Sequence, residues 1–235
     1  FPKSPAVTQY NLFDMVGNVR EWTRDRFDRT LYSRRAYTHV VNPLSGEVGP
    51  WGDVKQCTAP DCTRVVRGGS WADSCCHHTL EPEAGRDVRA DTRAVQSEKT
   101  ADDRTGFRMV CYLRKGVKKG SVQLPYVEDV PSVQAFRLRE VAAGIFTMGT
   151  AAAGASVAAK PPHHVHVDKF WISSTEITRK EFASFVSKTN YSPTSVANGC
   201  VSMSSPGSNV PNQDYTWASP GFNQTDAHPV VCVSW

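Results

Sequence analysis

The chain has 235 residues, of which 40% are hydrophobic and 21% are charged, a composition typical of a globular protein with one or two domains and a sizeable core. Its 27 basic and 23 acidic residues give a net charge of only +4, and the dense basic cluster at residues 114–119 is typical of a solvated loop, so we predict no nucleic-acid partner. The longest apolar runs, such as residues 141–148, fall far short of the roughly 18 residues that a membrane-spanning helix needs, which predicts no membrane segment in this chain.

The segment NLFDMVGNVREW, residues 11–22, places acidic side chains in an apolar setting. Asp14 and Glu21 lie among Leu, Phe, Met, Val and Trp, so we expect both carboxylates inside or beside a core. One interpretation is a hard divalent cation, which takes six to eight oxygen ligands from carboxylates and from the carbonyls of a looped backbone. The other is that Asp14 caps a turn while Glu21 pairs with a nearby arginine such as Arg20 or Arg24.

Short strands separated by turns dominate the expected secondary structure, because 16 Gly and 15 Pro interrupt most apolar runs. In chain order, the predicted strands are RVVRGGSW at 64–71, GFRMVCYL at 106–113, HHVHVDKFWISS at 163–174 and PVVCVSW at 229–235. The segment FRLREVAAGIFTMGT at 136–150 predicts a hairpin-like pair of strands around Ala143 and Gly144.

Three local features of the sequence predict the backbone conformation or the exposure of particular residues. The pair Gly68 and Gly69 permits positive φ or a close backbone approach, and we expect Trp71 to pack inward after them. Asn18 follows a glycine and is interpreted as a structural residue of a turn. The histidines of HHVH alternate along the predicted strand, with His164 and His166 on one face and His163 on the other, and we interpret them as exposed residues rather than metal ligands.

One helix has a clear start signal. The tetrapeptide T-R-K-E makes a capping box of Thr178 and Glu181, and the helix is expected to continue to Asn190. Its apolar face carries Phe182, Phe185 and Val186. The segment at 115–135 has no periodicity and is interpreted as a linker, and residues 150–162 as a flexible loop. The sequence therefore predicts a loop-rich α+β fold.

Seven cysteines favour a compartment that permits disulfides, and we predict a periplasmic or secreted protein. Cys57 and Cys62 could clip a small loop, whereas the adjacent Cys75 and Cys76 would strain a bond to each other. The run SCCHH at 74–78 could supply a soft-metal site, but alternate side chains of an extended strand point to opposite faces, so at most two of its four ligands could share an ion. The alternative is that these cysteines join disulfides.

Six segments carry a family resemblance. NLFDMVGNVREWTRD, RVVRGGSW and RTGFRMV resemble the closing motifs of the formylglycine-generating enzyme family, also called the sulfatase-modifying-factor family. REVAAGIFTMGT, PPHHVHVDKFWISSTEITRKEFASFVSKTNYSP and WASPGFNQTDAHPVVCVSW are similar to its opening motifs. The closing motifs come first here, so the chain is either the back half of one copy followed by the front half of the next, or a rearranged or incomplete single domain. We expect a back half at 1–114, a linker at 115–135 and a front half at 136–235.

The resemblance implies a C-type-lectin-like fold that is loop-rich, with short strands and few helices, and commonly bound to calcium. In such a fold the segment DMVGNVRE would be a calcium loop: Asp14 and Glu21 would supply side-chain oxygens, and Gly17 and Val19 would supply backbone carbonyls. Arg20 stands where the family usually has tryptophan.

The resemblance also bears on catalysis. Formylglycine-generating members oxidise a cysteine of a client sulfatase with a copper ion held by two cysteines, and soft thiolates suit that ion. The matching positions here are Asp73 and His78, neither of which is a thiolate. Cys75, Cys76 and His78 remain as weak catalytic candidates in a shifted register. We therefore expect a calcium-stabilised binding or scaffold module for a protein or glycan ligand. The alternative is a copper or nonheme-iron oxidase acting on a cysteine-containing or small thiol substrate.

Two further expectations follow from the resemblance. Cys200 and Cys232 are similar to a cysteine pair of bacterial relatives, which implies a disulfide between them. Arg89, Arg93 and Arg108 resemble family arginines that hold loops through carboxylate pairs rather than carry out chemistry.

Overall fold

The computed structural model describes residues 8–36, 40–43, 62–73, 90–112, 137–202 and 210–235. The strands in these ranges are short: β1 Arg20–Arg26, β2 Val40–Val41, β3 Thr63–Arg67, β4 Ala94–Ser97, β5 Thr105–Gly106, β6 Val110–Tyr112, β7 Leu138–Val141, β8 Gly144–Met148, β9 His163–Val167 and β10 Phe170–Ser173. The helices are α1 Leu31–Arg35, α2 Arg179–Thr189 and α3 Thr194–Asn198, with a 3-10 turn at Val157–Ala159. The fold is α+β, rich in strands and poor in helices, as the sequence predicts.

The strands form three small sheets. The first has the order β4-β3-β1-β5, in which β1 runs antiparallel to β3 and parallel to β5. The second has the order β6-β10-β7 and is antiparallel, and the third has the order β2-β9-β8. The second and third sheets each combine strands from before residue 113 with strands from after residue 136, so the two parts of the chain share backbone hydrogen bonds.

The apolar core is built largely from irregular chain. One buried cluster contains Val19, Cys200, Val231 and Cys232. A second contains Ile177, Phe182, Val230 and Val233, with Trp22, Phe107, Met109, Val186 and Trp217 packed against it. The strand predicted at 229–235 is therefore wrong: residues 230–233 are buried in an irregular segment, held by an isolated bridge from Thr178 to Pro229 and by the Val230 amide, which donates to the Ile177 carbonyl.

Two other strand predictions need correction. The segment at 163–174 is two strands, β9 and β10, which belong to different sheets. β7 and β8 exist as predicted, but they do not form a hairpin with each other: β7 pairs with β10, and β8 pairs with β9. The apolar patterning located β7 and β8 correctly, but it could not tell which neighbour each strand would pair with.

The other segments predicted from the sequence have mixed outcomes. The single strand predicted for GFRMVCYL at 106–113 is not continuous: Gly106 ends β5, residues 107–109 are irregular, and β6 follows at Val110–Tyr112. The loop at 150–162 contains the 3-10 turn Val157–Ala159. The predicted linker at 115–135 lies outside the described residues. Within the described ranges, no helix is long and apolar enough to cross a membrane.

The capped helix is confirmed. α2 begins after Thr178, whose hydroxyl accepts from the Glu181 amide, while the Glu181 carboxylate accepts from the Thr178 amide at 2.8 Å. The helix ends at Asn190, which adopts the left-handed conformation (φ 54°) that suits a C-terminal cap. Phe182 is buried, and Phe185 is exposed.

Replacing the cap residue should destabilise the fold measurably. In Thr178→Ala both reciprocal bonds of the capping box are weakened or lost, and we expect the free energy of unfolding to fall by about 1 kcal/mol. Urea denaturation checks this value. Ser187→Ala, at an exposed position of the same helix, is the matched control and should change stability by less than about 0.5 kcal/mol. Equal effects of the two substitutions would contradict a role for the cap.

Candidate cation site

The predicted calcium ligands lie at residues 14–21, in a non-helical loop that leads into β1. Three residues in it have positive φ: Asp14 (53°), Gly17 (85°) and Asn18 (56°). Such values turn the backbone sharply, and a looped backbone can present carbonyl oxygens together with carboxylates. Neither a helix nor a strand runs from Asp14 to Val19, and Glu21 lies in β1.

The loop packs directly on the turn that follows β3. The Gly17 amide donates to the Gly68 carbonyl at 2.8 Å, and the Trp71 amide donates to the Asn18 carbonyl at 2.7 Å. Gly68 has a φ of 89°, and a Cβ there would lie 3.2 Å from the Met15 carbonyl oxygen. Gly68 therefore provides the expected close backbone approach, and both glycines of GGSW have positive φ. The Trp71 side chain is 47% exposed, so the prediction that it packs inward is wrong.

Arg108 holds the two ends of the loop together. Its Nη2 donates to the Phe13 carbonyl at 2.8 Å and to Glu21 Oε1 at 2.8 Å, and its Nε donates to both Glu21 oxygens at 3.1 and 3.2 Å. Its Nη1 donates to the Ser173 carbonyl at 3.1 Å. The guanidinium side chain is almost fully buried. The Arg108 guanidinium thus holds the residue before Asp14, the Glu21 carboxylate and the end of β10.

A second acid completes this cluster. Glu176 is 3% exposed, and its Oε1 accepts from Asn18 Nδ2 at 2.9 Å, while its Oε2 lies 3.7 Å from Arg108 Nη2. Burial first, and then the charge of Glu21, raise the pKa of Glu176 to about 7. The buried carboxylate of Glu176 and the partly buried carboxylate of Glu21 therefore share one guanidinium, which leaves an excess of negative charge when both are ionised.

These features fit a hard cation. Within the described residues, the Asp14 carboxylate makes no hydrogen bond or ion pair, and it is half-buried at the left-handed turn. The donor set of two carboxylates and two carbonyls is all oxygen, as calcium requires. No cluster of three or more His, Cys, Asp or Glu side chains that could hold a metal occurs in the described part of the chain. The predicted calcium ligands include only two such side chains, Asp14 and Glu21, and the other two ligands are backbone carbonyls.

Arg20, which the sequence offered as a possible partner of Glu21, binds other residues. Its Nη2 donates to Asp102 Oδ2 at 2.8 Å and to Gln96 Oε1 at 3.1 Å, and the pair is buried. Arg20, the first residue of β1, thus forms a buried ion pair with Asp102. Glu21 takes its partner from residue 108 instead.

The position that matches the first copper cysteine has a structural role here. Asp73 Oδ2 accepts from both the Ser70 amide and the Ser70 hydroxyl at 2.7 Å, which closes the turn after GGS. A carboxylate used in this way is a hard oxygen ligand with its lone pairs partly committed, and it does not suit Cu(I). The weak catalytic candidates Cys75, Cys76 and His78 lie outside the described residues.

Disulfides are present as the cysteine content predicts. Cys200 and Cys232 are bonded, with a Cα–Cα distance of 5.4 Å, which confirms the pair implied by the resemblance. Cys62 is also disulfide-bonded, and Cys57 lies outside the described residues. Cys111 is a free thiol, and burial raises its pKa.

The remaining predicted residues are structural. Arg93 is buried and donates to the carbonyls of Asp28 and Ala158 rather than to a carboxylate, and its guanidinium lies 4.5 Å from the centre of the Tyr32 ring. Arg89 lies outside the described residues. His163 is 4% exposed and packs edge-on against Tyr32 at 4.5 Å, so its interpretation as an exposed histidine is wrong. It points inward because it shares a strand face with the fully buried Val165.

The geometry defines a strand-rich α+β domain in which an irregular acidic loop is held by a buried arginine. The family described as the sulfatase-modifying factor enzyme 1-like domain matches residues 3–113 and 130–235. The chain therefore belongs to this family.

Two curated relatives illustrate the range of the family. The chain is 35% identical over 103 residues to a formylglycine-generating enzyme from Mycobacterium tuberculosis, a match that covers 43% of this chain and 29% of the relative. It is 28% identical over 104 residues to the inactive C-alpha-formylglycine-generating enzyme 2 of Bos taurus, covering 44% of this chain and 23% of the relative. The matches thus span less than a third of each relative. No solved structure shows a significant match.

The raised pKa of Glu176 predicts how stability depends on pH. Because the pKa is about 7 in the folded chain and 4.5 as the ordinary value, the folded chain binds this proton more tightly, so stability should fall as pH rises from about 4.5 to 7. The full difference is about 3 kcal/mol. Glu176→Gln removes the titration, so the stability of the wild type relative to this variant should fall by up to that amount between pH 5 and pH 8.

Urea unfolding in the presence of a chelator measures this difference without a contribution from bound metal. Glu140→Gln is the control, because the Glu140 side chain is 52% exposed. Its stability difference from the wild type should stay nearly constant over the same range. A wild-type advantage over Glu176→Gln that grows with pH would contradict the assignment.

Proposed function

We propose that this chain is a calcium-stabilised, non-catalytic binding or scaffold module with a C-type-lectin-like arrangement. The observation that carries the proposal is the use of Asp73: the residue at the position of a copper cysteine closes the turn at Ser70. The 28% identical relative named as inactive supports a non-catalytic member of the family. A protein or glycan is the proposed ligand, bound by loops on a scaffold that calcium keeps ordered.

The calcium part of the proposal rests on charge and geometry. Asp14 and Glu21 would supply carboxylate oxygens, and Gly17 and Val19 would supply carbonyls. Calcium would offset the excess negative charge that Glu21 and Glu176 leave beside the single Arg108. The disulfides at Cys62 and between Cys200 and Cys232 support an oxidising compartment, so we propose a periplasmic or secreted location.

The alternative proposal is a metal-dependent oxidase. The 35% identity to a relative named formylglycine-generating enzyme favours it, as do the thiol candidates Cys75 and Cys76. In this case copper or nonheme iron would be held by a shifted ligand set that includes one of these cysteines, and the substrate would be a cysteine-containing peptide or a small thiol.

Metal analysis combined with thiol titration separates the two proposals. The free thiol of Cys111 is first removed as Cys111→Ser, so that any remaining thiol belongs to another cysteine. For a binding module we expect about one calcium per chain, no copper or iron, and no titratable thiol in this variant. Stoichiometric copper or iron together with free thiols would overturn the binding module in favour of the oxidase.

Calcium should also stabilise the fold through Asp14. A ligand that binds only the folded state at 100 times its Kd adds about 2.7 kcal/mol, which raises the Tm by several degrees. Asp14→Asn should lose most of this calcium-dependent rise, because a neutral amide oxygen binds calcium more weakly than a carboxylate. Asp214→Asn, at an exposed position, is the matched control and should keep it. A wild-type Tm that is equal in calcium and in chelator would rule out the calcium site.

A further inference from the structure

Asn18 lies between the two residues whose carbonyls are proposed as calcium ligands. Its backbone is left-handed (φ 56°), and its own carbonyl accepts from the Trp71 amide at 2.7 Å. The Gly17 carbonyl and the Asn18 nitrogen belong to one planar peptide unit. Fixing Asn18 in space therefore fixes the direction in which the Gly17 carbonyl points, and it also fixes where the chain enters Val19.

The side chain of Asn18 is held from the far end of the sequence. Its Nδ2 donates to Glu176 Oε1 at 2.9 Å, a contact across 158 residues. Glu176 is itself on rigid chain: the next residue, Ile177, is 4% exposed, its amide donates to the Phe107 carbonyl, and its carbonyl accepts from the Val230 amide, both at 2.9 Å. A residue immobilised in this way can hold the loop in one conformation.

The same carboxylate lies close to the residue that holds Glu21. Glu176 Oε2 is 3.7 Å from Arg108 Nη2, and that nitrogen donates to Glu21 Oε1 at 2.8 Å. Glu176 therefore contacts two supports of the loop: Asn18, which orients the Gly17 carbonyl, and Arg108, which holds the Glu21 carboxylate. Asp14 has no such support among the described residues.

We propose that Glu176 is a positioning residue for calcium, which orients the Gly17 carbonyl through its hydrogen bond to Asn18 before the cation binds. The inference rests on the proposed calcium site. Groups that orient the direct ligands of a metal commonly change its affinity by 10- to 100-fold, because the ordering of the ligands is otherwise a cost of binding. Glu176 does not need to touch calcium to have this effect.

A mutant cycle with calcium chloride as the probe tests the proposal. Isothermal titration calorimetry at pH 8 gives the Kd of the wild type, Glu176→Ala, Asn18→Gly and the double variant; glycine keeps the left-handed backbone accessible at residue 18. We expect Glu176→Ala to weaken calcium binding by about 10- to 100-fold. In the Asn18→Gly background the same substitution should weaken it by less than about threefold, because the hydrogen bond is already absent.

Two further variants separate positioning from charge and from general damage. Glu176→Gln keeps an oxygen that can accept from Asn18, so it should bind calcium clearly more tightly than Glu176→Ala. Glu140→Ala, which removes an exposed acid, should bind as the wild type does. Amide hydrogen exchange at Asn18 and Val19 in the calcium-free chain should increase in Glu176→Ala, while exchange in α2 stays unchanged.

The outcomes distinguish the two proposals. A wild type that binds calcium, with a Glu176→Ala variant of equal affinity, would overturn the positioning role and leave the calcium site standing. Equal weakening by Glu176→Ala and Glu176→Gln would overturn it as well, since charge alone would then explain the loss. A wild type that binds no calcium would overturn both proposals. If Glu176→Ala does not fold, Asn18→Gly and Glu176→Gln decide: Asn18→Gly, which removes the hydrogen bond, should weaken calcium binding more than Glu176→Gln, which keeps an acceptor for it. Weaker binding by Glu176→Gln than by Asn18→Gly would then contradict the proposal.

Discussion

The buried guanidinium of Arg108 is the contact on which the rest of this structure depends. It joins the Phe13 carbonyl, the Glu21 carboxylate and the Ser173 carbonyl, which come from the opening loop, β1 and β10. Burying an arginine is costly unless its donors are satisfied, and leaving a buried charge without its partner costs several kcal/mol. The guanidinium therefore links the loop, the first sheet and the second sheet, and separating any of them would leave a buried donor without its partner.

This constraint matters because regular structure contributes little to the fold. Most strands have two to five residues, and the core residues 229–233 belong to no named strand. Long-range polar contacts take over the role that sheets play in other domains: Arg20 with Asp102, Arg64 with Glu98, and Trp22, whose indole donates to the Val233 carbonyl at 3.0 Å. The disulfide between Cys200 and Cys232 adds a covalent link in the same core cluster. Substitutions in irregular segments should thus disturb the fold as much as substitutions in strands.

The family includes a relative named as a formylglycine-generating enzyme and a relative named as inactive, so membership of the family does not by itself decide whether a chain is catalytic. In this chain the GGS segment forms a turn, Arg108 pairs with Glu21, and the opening loop packs on Gly68. Asp73 accepts from the Ser70 amide and from the Ser70 hydroxyl. The Asp73 carboxylate is therefore engaged in closing this turn.

The sequence by itself determined the local features. The capping box of Thr178, the positive φ of Gly68 and Gly69, and the positions of β7 and β8 all follow from neighbouring residues, whose steric and hydrogen-bonding preferences act within a few positions. The family resemblance added the disulfide between Cys200 and Cys232. Tertiary structure decided which strands pair, why Trp71 is exposed and His163 buried, and that Glu176 reaches Asn18. These depend on partners up to 158 residues away, and a pattern of apolar and polar residues specifies a buried face without specifying what covers it.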